Sequence, residues 1–439
     1  MAQDINLRRI ALALLLEYEA CGKYANLALN SHKADSLTPS DRAFLTKLFY
    51  TAVEHKLTYD YYICAVSGRG LDKISQRVKN ILRLGICQLL DMDAVPAFAA
   101  VNETVKLAKN AGERSFVNAV LREIERSSSN LPLPDKDKKY SRYLSVKYSV
   151  PTATVKKFIS ALGDVETERL LSCYAQLPPT DLSVNLNKIS RENFCKRLNE
   201  AGYSAVSSPL SPITVRLDGS VDPRLLPGYS EGEFFVQDAA CAAAVALLSP
   251  AKDELFIDVC SAPGGKSFAA AVMMGDAGKI ISYDIHESKL SLIEGGAVRL
   301  GLSSLNASVR DATSPDTALL GKADAVICDV PCSGLGVLRK KPDIRYKSID
   351  ELRGLPELQY DILSASAKYL KRGGRMIYST CTLLPEENRG VVDRFLCENG
   401  GYHTVDFQIN GCPSRDGSFT FLPHIHGTDG FFVTLIERE

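Results

Sequence analysis

The spacing of apolar positions divides the chain into three parts. In the first 127 residues apolar side chains recur at intervals of three and four, as in helices with one packed face. The second such segment begins at Thr38-Pro39-Ser40-Asp41, which carries helix start signals with more than one candidate cap. The pattern predicts an all-α bundle over residues 1–127, with helices at residues 5–18, 40–66, 74–90, 97–109 and 114–126.

A break in this periodicity separates the bundle from a smaller mixed region. Residues 128–139 are rich in proline and charge and have no period, which predicts a linker. Residues 140–238 combine helical stretches with short apolar runs typical of strands. We expect a small α+β domain there, with strands at 182–186, 213–217 and 233–236 and a helix at 191–201.

From residue 239 onward, apolar strand patterns alternate with amphipathic helical patterns. This alternation predicts parallel βαβ units and a C-terminal α/β, Rossmann-like domain with a mostly parallel sheet over residues 239–439. In such sheets ligands bind beyond the carboxyl ends of the strands. The predicted strands are 255–259, 279–283, 325–328 and 375–378, and the predicted helices are 266–274, 288–300 and 357–370.

Composition narrows the functional class. The 439 residues include 52 basic and 52 acidic side chains, so the zero net charge leaves only a local basic surface to attract a nucleic acid. Twelve scattered cysteines without a C-x-x-C pair, and only six histidines, predict no metal site. No run of about 18 apolar residues and no signal-peptide pattern occurs, so we expect a cytoplasmic protein with reduced thiols and no membrane partner.

A glycine-containing turn follows the strand predicted at 255–259. It reads Cys260-Ser261-Ala262-Pro263-Gly264-Gly265-Lys266-Ser267 and opens a helix. The glycines allow close backbone approach, and the helix N-terminus offers unpaired N–H groups to an anionic or polar ligand. The spacing differs from G-x-G-x-x-G, which disfavours a nicotinamide cofactor, and Cys260 and Ser261 occupy the region where a P-loop needs its first glycine.

Two aspartates follow the next two strands. Asp284 ends the strand after the turn, where an acidic residue can bind ribose hydroxyls. Asp311 follows the apolar stretch 307–309 and could meet an adenine edge. Either residue alone could be a turn or cap residue, but acidic side chains at successive strand ends favour a nucleoside site.

Two cysteines lie just beyond two further strands. One strand delivers Asp329-Val330-Pro331-Cys332-Ser333-Gly334, and a later one delivers Ser379-Thr380-Cys381-Thr382, followed by Pro385-Glu386-Glu387-Asn388. Because both strands are expected in one sheet, both thiols should reach its ligand edge. A carboxylate precedes the first thiol by three positions.

These motifs resemble the signature motifs of the S-adenosylmethionine-dependent RNA cytosine-5 methyltransferases. The match extends to residues 232–238, 341–346 and 429–432, and residues 95–103 and 116–122 resemble NusB-like RNA-binding domains. The combination is similar to the bacterial 16S ribosomal RNA cytosine-5 methyltransferases. The resemblance covers essentially the whole chain and implies a NusB-like bundle, a Rossmann-like catalytic domain and S-adenosyl-L-methionine as cofactor.

The resemblance also implies roles for the site residues. Cys381 would attack C6 of cytosine and Cys332 would assist product release, while Asp329 would bind the N3/N4 edge of the base. The chemistry alone leaves Cys332 as an alternative nucleophile, because DNA cytosine-5 methyltransferases use the cysteine of their Pro-Cys motif. The cofactor would be held by residues 260–266, in which Cys260 serves packing and Lys266 orients the cofactor's carboxylate or the RNA, together with Asp284, Asp311 and Asp329.

A basic run follows the first cysteine. Between residues 339 and 347 five basic side chains accompany the single acidic residue Asp343, namely Arg339, Lys340, Lys341, Arg345 and Lys347. We expect RNA phosphate contacts there, with a solvated charged face as the alternative. The expected partner of this monomeric enzyme is 16S ribosomal RNA or a small-subunit assembly intermediate. A transfer-RNA methyltransferase and a catalytically inert assembly factor are the competing hypotheses; the N-terminal extension argues against the first and the intact Cys381, Cys332 and Asp329 against the second.

Overall fold

The computed structural model describes residues 6–21, 37–347 and 352–439. The chain divides into two compact units. The first, called the helical unit below, comprises Met1–Leu171 and Lys341–Lys347. The second, the sheet unit, comprises Ser172–Lys340 and Ser348–Glu439. The boundary therefore lies some thirty residues after the predicted linker, because the helices that follow residue 139 pack with the N-terminal ones.

The helical unit confirms the predicted bundle and adds helices after the linker. The predicted helix at 40–66 is two helices that meet at His55. Short 3-10 turns lie at Leu71–Lys73, Ser128–Asn130 and Pro342–Tyr346. The helices described are α1 (Leu7–Cys21), α2 (Pro39–Glu54), α3 (Lys56–Ser67), α4 (Gln76–Leu90), α5 (Ala97–Val105), α6 (Ala111–Arg126), α7 (Tyr140–Tyr148), α8 (Thr152–Leu162) and α9 (Asp164–Tyr174), the last of which continues into the sheet unit.

Helix α4 lies at the centre of the helical unit. Its side chains are buried over most of its length, and it packs against α1, α2, α3, α5 and α6. Arg83 is buried with them, and its guanidinium bonds Asp60 and Glu19, each at 2.7 Å. A buried arginine is tolerated here because both carboxylates compensate its charge.

The sheet unit begins with a small antiparallel sheet. Its strands are β1 (Thr180–Val184), β2 (Ala205–Ser207), β3 (Thr214–Leu217) and β4 (Phe234–Val236), in the order β2-β3-β1-β4. Helix α10 (Arg191–Glu200) covers one face, with Phe194 and Leu198 packed on Leu182 and Val184. The predicted strands and helix are confirmed, whereas β2 was not predicted because a three-residue edge strand is too short to show alternation.

An eight-stranded sheet forms the rest of the sheet unit. The parallel strands are β5 (Leu255–Asp258), β6 (Lys279–Asp284), β7 (Leu305–Val309), β8 (Ala323–Asp329) and β9 (Leu370–Thr380). The order β10-β14-β9-β8-β5-β6-β7 places the topological switch point between β5 and β8. Antiparallel strands close the other side: β10 (Tyr402–Thr404), β13 (Ser418–Phe421) and β14 (Phe431–Arg438), with a separate ribbon of β11 (Gln408–Ile409) and β12 (Cys412–Pro413).

Helices pack against the large sheet and bury its apolar residues in two clusters. They are α11 (Ala239–Leu247), α12 (Gly265–Met273), α13 (Glu287–Leu300), α14 (Leu355–Ala367), α15 (Arg389–Glu398) and the single turn α16 (Pro423–His426). Strands β5, β6 and β8 are largely apolar and buried, and their charged residues lie at or next to the strand ends. In the described part of the chain, no helix combines the length and the apolar character needed to span a bilayer.

Candidate active site

The turn between β5 and α12 is shaped by Gly264. Its φ of 108° lies in the left-handed region, and a Cβ there would come within 2.5 Å of the Phe268 ring. The backbone N–H of Ser261 donates to the carbonyl of Tyr283 at 2.8 Å, and that of Ala262 donates to Asp284 Oδ2 at 3.2 Å. These bonds hold the turn against the end of β6. The N-cap residue of α12 is Gly264, which has no side chain to cap the N–H groups of the first helical turn.

The two predicted nucleoside-binding aspartates have different surroundings. Asp284 is 7% exposed, and its second oxygen accepts the N–H of His286 at 2.9 Å, so its carboxylate also fixes the turn. Asp311 is exposed at the end of β7, and its Oδ1 accepts both the N–H and the hydroxyl of Thr313 at 2.9 and 2.8 Å. Asp311 therefore forms the local turn that the sequence left as an alternative.

A buried carboxylate is hydrogen-bonded to the first turn of α12. Asp258, at the end of β5, accepts the Ser267 hydroxyl at 2.7 Å, and Ser282 donates to Ser267 at 2.8 Å. Burial raises the pKa of Asp258 to about 7. Asp258 was not predicted as a site residue, because an aspartate at the end of a strand is common. Cys260, beside it, is half-buried, and burial raises the pKa of its thiol well above the ordinary value, which fits the expected packing role.

Asp329 ends β8 and lies near the turn at residues 260–267 and the two cysteine loops, which are the loops that carry Cys332 and Cys381. The parallel register pairs Asp329 with Ser379, whose hydroxyl donates to Asp329 Oδ1 at 2.7 Å. The Lys266 ammonium donates to Asp329 Oδ2 at 2.5 Å. Although burial alone would lower the pKa of Lys266, the Asp329 carboxylate raises it above the ordinary value. Lys266 therefore holds the Asp329 side chain in a fixed orientation.

The two thiols meet at the ends of β8 and β9. Cys332 Sγ and Cys381 Sγ are 3.1 Å apart, and both side chains are half-buried. The hydrogen bond with Cys381, followed by burial, raises the pKa of Cys332 well above the ordinary value. At neutral pH Cys332 is therefore a thiol that can donate to its neighbour.

A close backbone crossing joins the two cysteine loops to β14. The N–H of Gly336 donates to the carbonyl of Cys381 at 2.9 Å, and the N–H of Gly430 donates to the carbonyl of Gly336 at 2.9 Å. A Cβ at Gly336 would lie 1.9 Å from the Gly430 oxygen, so only glycine fits at this crossing. This contact explains why residues 429–432 belong with the catalytic motifs although they lie about a hundred residues after Cys332.

The structure divides the predicted basic run. Lys340 forms ion pairs with Asp238 at 2.8 Å and Asp429 at 2.9 Å, and the Arg339 guanidinium donates to the carbonyls of Gly427 and Thr428 at 3.4 and 3.5 Å. Lys341 is exposed. Of the run's first three basic side chains, two are thus engaged within the sheet unit.

The predicted phosphate contact of Arg345 is wrong for this structure. Arg345 is 2% exposed and belongs to the helical unit. Its guanidinium pairs with Glu54 at 3.1 Å and donates to the carbonyl of Tyr148 at 3.3 Å. Glu54 and Tyr148 are the last residues of α2 and α7, where carbonyl groups lack helical partners and favour a cation.

The residues at the sheet edge fit S-adenosyl-L-methionine, the cofactor that the resemblance implies. The turn at Gly264 has no room for a side chain, the α12 N-terminus offers N–H groups, and Asp284 supplies a carboxylate at the end of the adjacent strand. Residues 260–266, Asp284 and Asp329 are brought together at this edge. Asp311 lies at the end of the next strand outward, β7.

Family models match three successive regions of the chain. Residues 5–126 match the NusB family, and residues 150–223 match the ferredoxin-like domain of the RsmF/B-like methyltransferases. Residues 245–437 match the 16S rRNA methyltransferase RsmB/F model.

Curated relatives and one solved structure match essentially the full length of the chain. A probable ribosomal RNA small subunit methyltransferase B of Synechocystis sp. is 34% identical over 99% of this chain and 100% of its own. The ribosomal RNA small subunit methyltransferase B of Klebsiella pneumoniae is 30% identical over 100% of both chains. The crystal structure of PH0851 is 25% identical, with a TM-score of 0.79 over 99% of this chain and 98% of that chain.

Proposed function

The chain belongs to the 16S rRNA methyltransferase RsmB/F family, and on that premise we propose that it methylates C5 of a cytosine in 16S ribosomal RNA. S-adenosyl-L-methionine supplies the methyl group. The observation that carries the proposal is the pair of thiols 3.1 Å apart beside an anchored carboxylate at the edge of the sheet. That combination suits covalent activation of a pyrimidine ring.

The chemistry requires a sulfur nucleophile because C5 of cytosine is a poor one. A thiolate adds to C6 and makes C5 enamine-like. C5 would then take the methyl group, which the cofactor held by residues 260–266 and Asp284 would supply, its positively charged sulfur becoming neutral. The C5 proton passes to a proton acceptor, and the C6–Sγ bond breaks with its electron pair returning to the cysteine. The enzyme thiolate is thereby regenerated.

We assign Cys381 as the nucleophile, as the family resemblance implies, and the geometry of the pair gives Cys332 a supporting role. Cys332 Sγ lies 3.1 Å from Cys381 Sγ, so the Cys332 thiol is within reach to donate a hydrogen bond to a Cys381 thiolate. A hydrogen bond to the charged form stabilises the thiolate as it leaves C6. Cys332 thus assists product release without forming the covalent bond itself.

Asp329 is the group placed to bind the base. Lys266 and Ser379 hold its two oxygens in fixed positions next to the thiol loops. A carboxylate fixed in this way accepts the hydrogen bond from N3/N4 that strengthens as the ring gains a proton during addition. Residues 260–266 and Asp284 would hold the cofactor, with Asp311 at the adenine side.

The test compares cysteine variants on unmethylated 16S RNA with S-adenosyl-L-methionine. Cys381→Ala should abolish methyl transfer, and Cys332→Ala should accumulate an enzyme–RNA adduct that survives denaturing gel electrophoresis. Cys397→Ala removes an exposed thiol of α15 and serves as the control with unchanged activity. Full turnover by Cys381→Ala would refute the assignment of the nucleophile.

Bisulfite sequencing of RNA from a deletion strain tests the substrate. Loss of one methylated cytosine in 16S RNA, restored by the wild-type gene but not by Cys381→Ala, is the expected result. An unchanged 16S map with a lost site in transfer RNA would replace the proposed substrate, and unchanged maps in both would favour the inert assembly factor.

A further inference from the structure

Two consecutive buried residues form hydrogen bonds to the two cysteine loops. Glu387 and Asn388 follow β9 in the Pro-Glu-Glu-Asn run, and their side chains are 1% and 4% exposed. Neither was assigned a role from the sequence. Asn388 bonds the residues on both sides of Cys381, whereas Glu387 bonds the residue after Cys332 directly and the residue before it through Gln359.

The Glu387 side chain holds the loop of Cys332. Glu387 Oε2 accepts the backbone N–H of Ser333 at 2.8 Å and the amide of Gln359 at 2.9 Å. The same Gln359 amide donates to the carbonyl of Pro331 at 2.9 Å. Residues 331 and 333 flank Cys332, so a carboxylate and an amide fix the backbone on both sides of that thiol.

The Asn388 side chain holds the loop of Cys381 in the same way. Its Oδ1 accepts the Thr380 hydroxyl at 2.5 Å, and its Nδ2 donates to the carbonyl of Thr382 at 3.1 Å. Residues 380 and 382 flank Cys381. Each thiol therefore has its own polar clamp, and the two clamps come from neighbouring residues.

Two side-chain hydrogen bonds join the two clamps. The Ser333 hydroxyl donates to Thr382 Oγ1 at 2.7 Å, and the Thr382 hydroxyl donates to Glu387 Oε1 at 3.5 Å. Burying a carboxylate is costly unless hydrogen bonds satisfy it, and packing alone would be served better by an apolar residue. The arrangement instead fixes the relative position of two loops whose thiols must stay 3.1 Å apart.

We propose that Glu387 is a positioning residue for Cys332 and Asn388 a positioning residue for Cys381, so that adjacent residues control different steps of the reaction. The inference rests on the proposed function, in which Cys381 forms the adduct and Cys332 promotes its release. Loss of the Glu387 clamp slows release, and loss of the Asn388 clamp slows addition.

The expected phenotypes are opposite in adduct accumulation. Glu387→Ala should keep single-turnover methylation close to the wild-type rate, lower kcat about tenfold, and accumulate the denaturant-resistant adduct as a weaker form of Cys332→Ala. Asn388→Ala should slow single-turnover methylation about tenfold without accumulating the adduct. A loss of general structure would move both steps together.

The experiment uses the full chain, unmethylated 16S transcript and S-adenosyl-L-methionine in rapid-quench single turnovers and in steady state. Glu387→Gln keeps an oxygen for Ser333 and Gln359 and should restore release to within about threefold of wild type. Gln359→Leu and Thr380→Val provide a second variant for each clamp should either alanine variant fail to fold. Glu254→Gln, in the ion pair with Arg375 at the opposite edge of the sheet, is the matched control with both steps unchanged.

The controls separate the two ways in which the inference could fail. If Cys332→Ala gives an adduct while the Glu387 and Asn388 variants lose the same step in the same proportion, the separate positioning roles are overturned and the proposed function stands. If Cys332→Ala gives no adduct and Cys381→Ala still methylates, the assignment of Cys381 as the nucleophile is overturned and the positioning roles with it. If the wild type does not methylate the 16S transcript, the proposed function itself is overturned.

Discussion

The two units of the chain place their charged residues according to different rules. In the sheet unit, polar side chains at the ends of β5, β6, β8 and β9 converge because parallel strands end at one edge. In the helical unit, charged side chains such as Arg83 and Arg345 point inward to carboxylates supplied by other helices. Strand topology thus reveals a site from sequence order, whereas a helical bundle offers no comparable rule.

The basic run at 339–347 crosses from one unit to the other. Arg339 and Lys340 lie in the sheet unit, and residues 341–347 lie in the helical unit. Basic residues recur throughout the run, but the Lys341 side chain is exposed and the Arg345 side chain is buried. We therefore expect substitutions at the edge of the large sheet to change the rate of catalysis. Substitutions of buried charged residues in the helical unit should change the free energy of unfolding.

The largest effect should come from Asp329 at the sheet edge. Asp329→Asn removes the negative charge that stabilises the protonated base, and it breaks the ion pair with Lys266. We therefore expect kcat to fall about a hundredfold to a thousandfold. Single-turnover methylation of 16S transcript measures the loss. Asp324→Asn, on the same strand at its opposite end and paired with Lys371, is the control and should stay within about twofold. Equal losses in both variants would mean that the strand end has no special role.

Arg345 should give the next largest effect, on stability rather than on RNA binding. Arg345→Met leaves Glu54 without its cation and should lower the free energy of unfolding by about 4 kcal/mol, measured in urea. Lys341→Met should leave the free energy of unfolding unchanged. If the exposed part of the run contacts phosphates, the substitution should weaken RNA binding and reduce the slope of log Kd against log salt concentration by about one. Weaker RNA binding with unchanged stability in Arg345→Met would restore the phosphate contact that the structure contradicts.

The contrast between these residues shows what the sequence could and could not predict. Strands β5, β6, β8 and β9 and their loops were predicted because apolar runs and strand ends are local features. Arg345 was misassigned because its partner, Glu54, lies 291 positions earlier in the chain. The roles of Glu387 and Asn388 were missed because their partners include backbone groups and an amide on another helix, which no side-chain spacing reveals.

Asp258 should make the stability of the sheet unit depend on pH. Its folded-state pKa of about 7 lies above the ordinary aspartate value, so the folded protein binds more protons than the unfolded chain between these values. Stability should therefore fall as pH rises from 5 to 7 and stay lower at pH 8. Asp258→Asn removes this dependence, and the difference between wild type and variant should change by about 3 kcal/mol between pH 5 and pH 8 in urea unfolding. Parallel pH profiles would show that Asp258 is charged at both values.

The smallest effect tests a local signal in the helical unit, where the sequence 38–41 left more than one candidate cap for one helix, Thr38 and Ser40 among them. In the structure Thr38 Oγ1 accepts the N–H of Asp41 at 3.2 Å and donates to the Asp41 carboxylate at 2.7 Å, so Thr38 is the N-cap of α2. Thr38→Ala should lower the free energy of unfolding by about 1 kcal/mol, and Ser40→Ala by less than about 0.5 kcal/mol. A reversed order would assign the cap to Ser40. Either result leaves catalysis at the sheet edge unchanged, because a cap stabilises only the helix it begins.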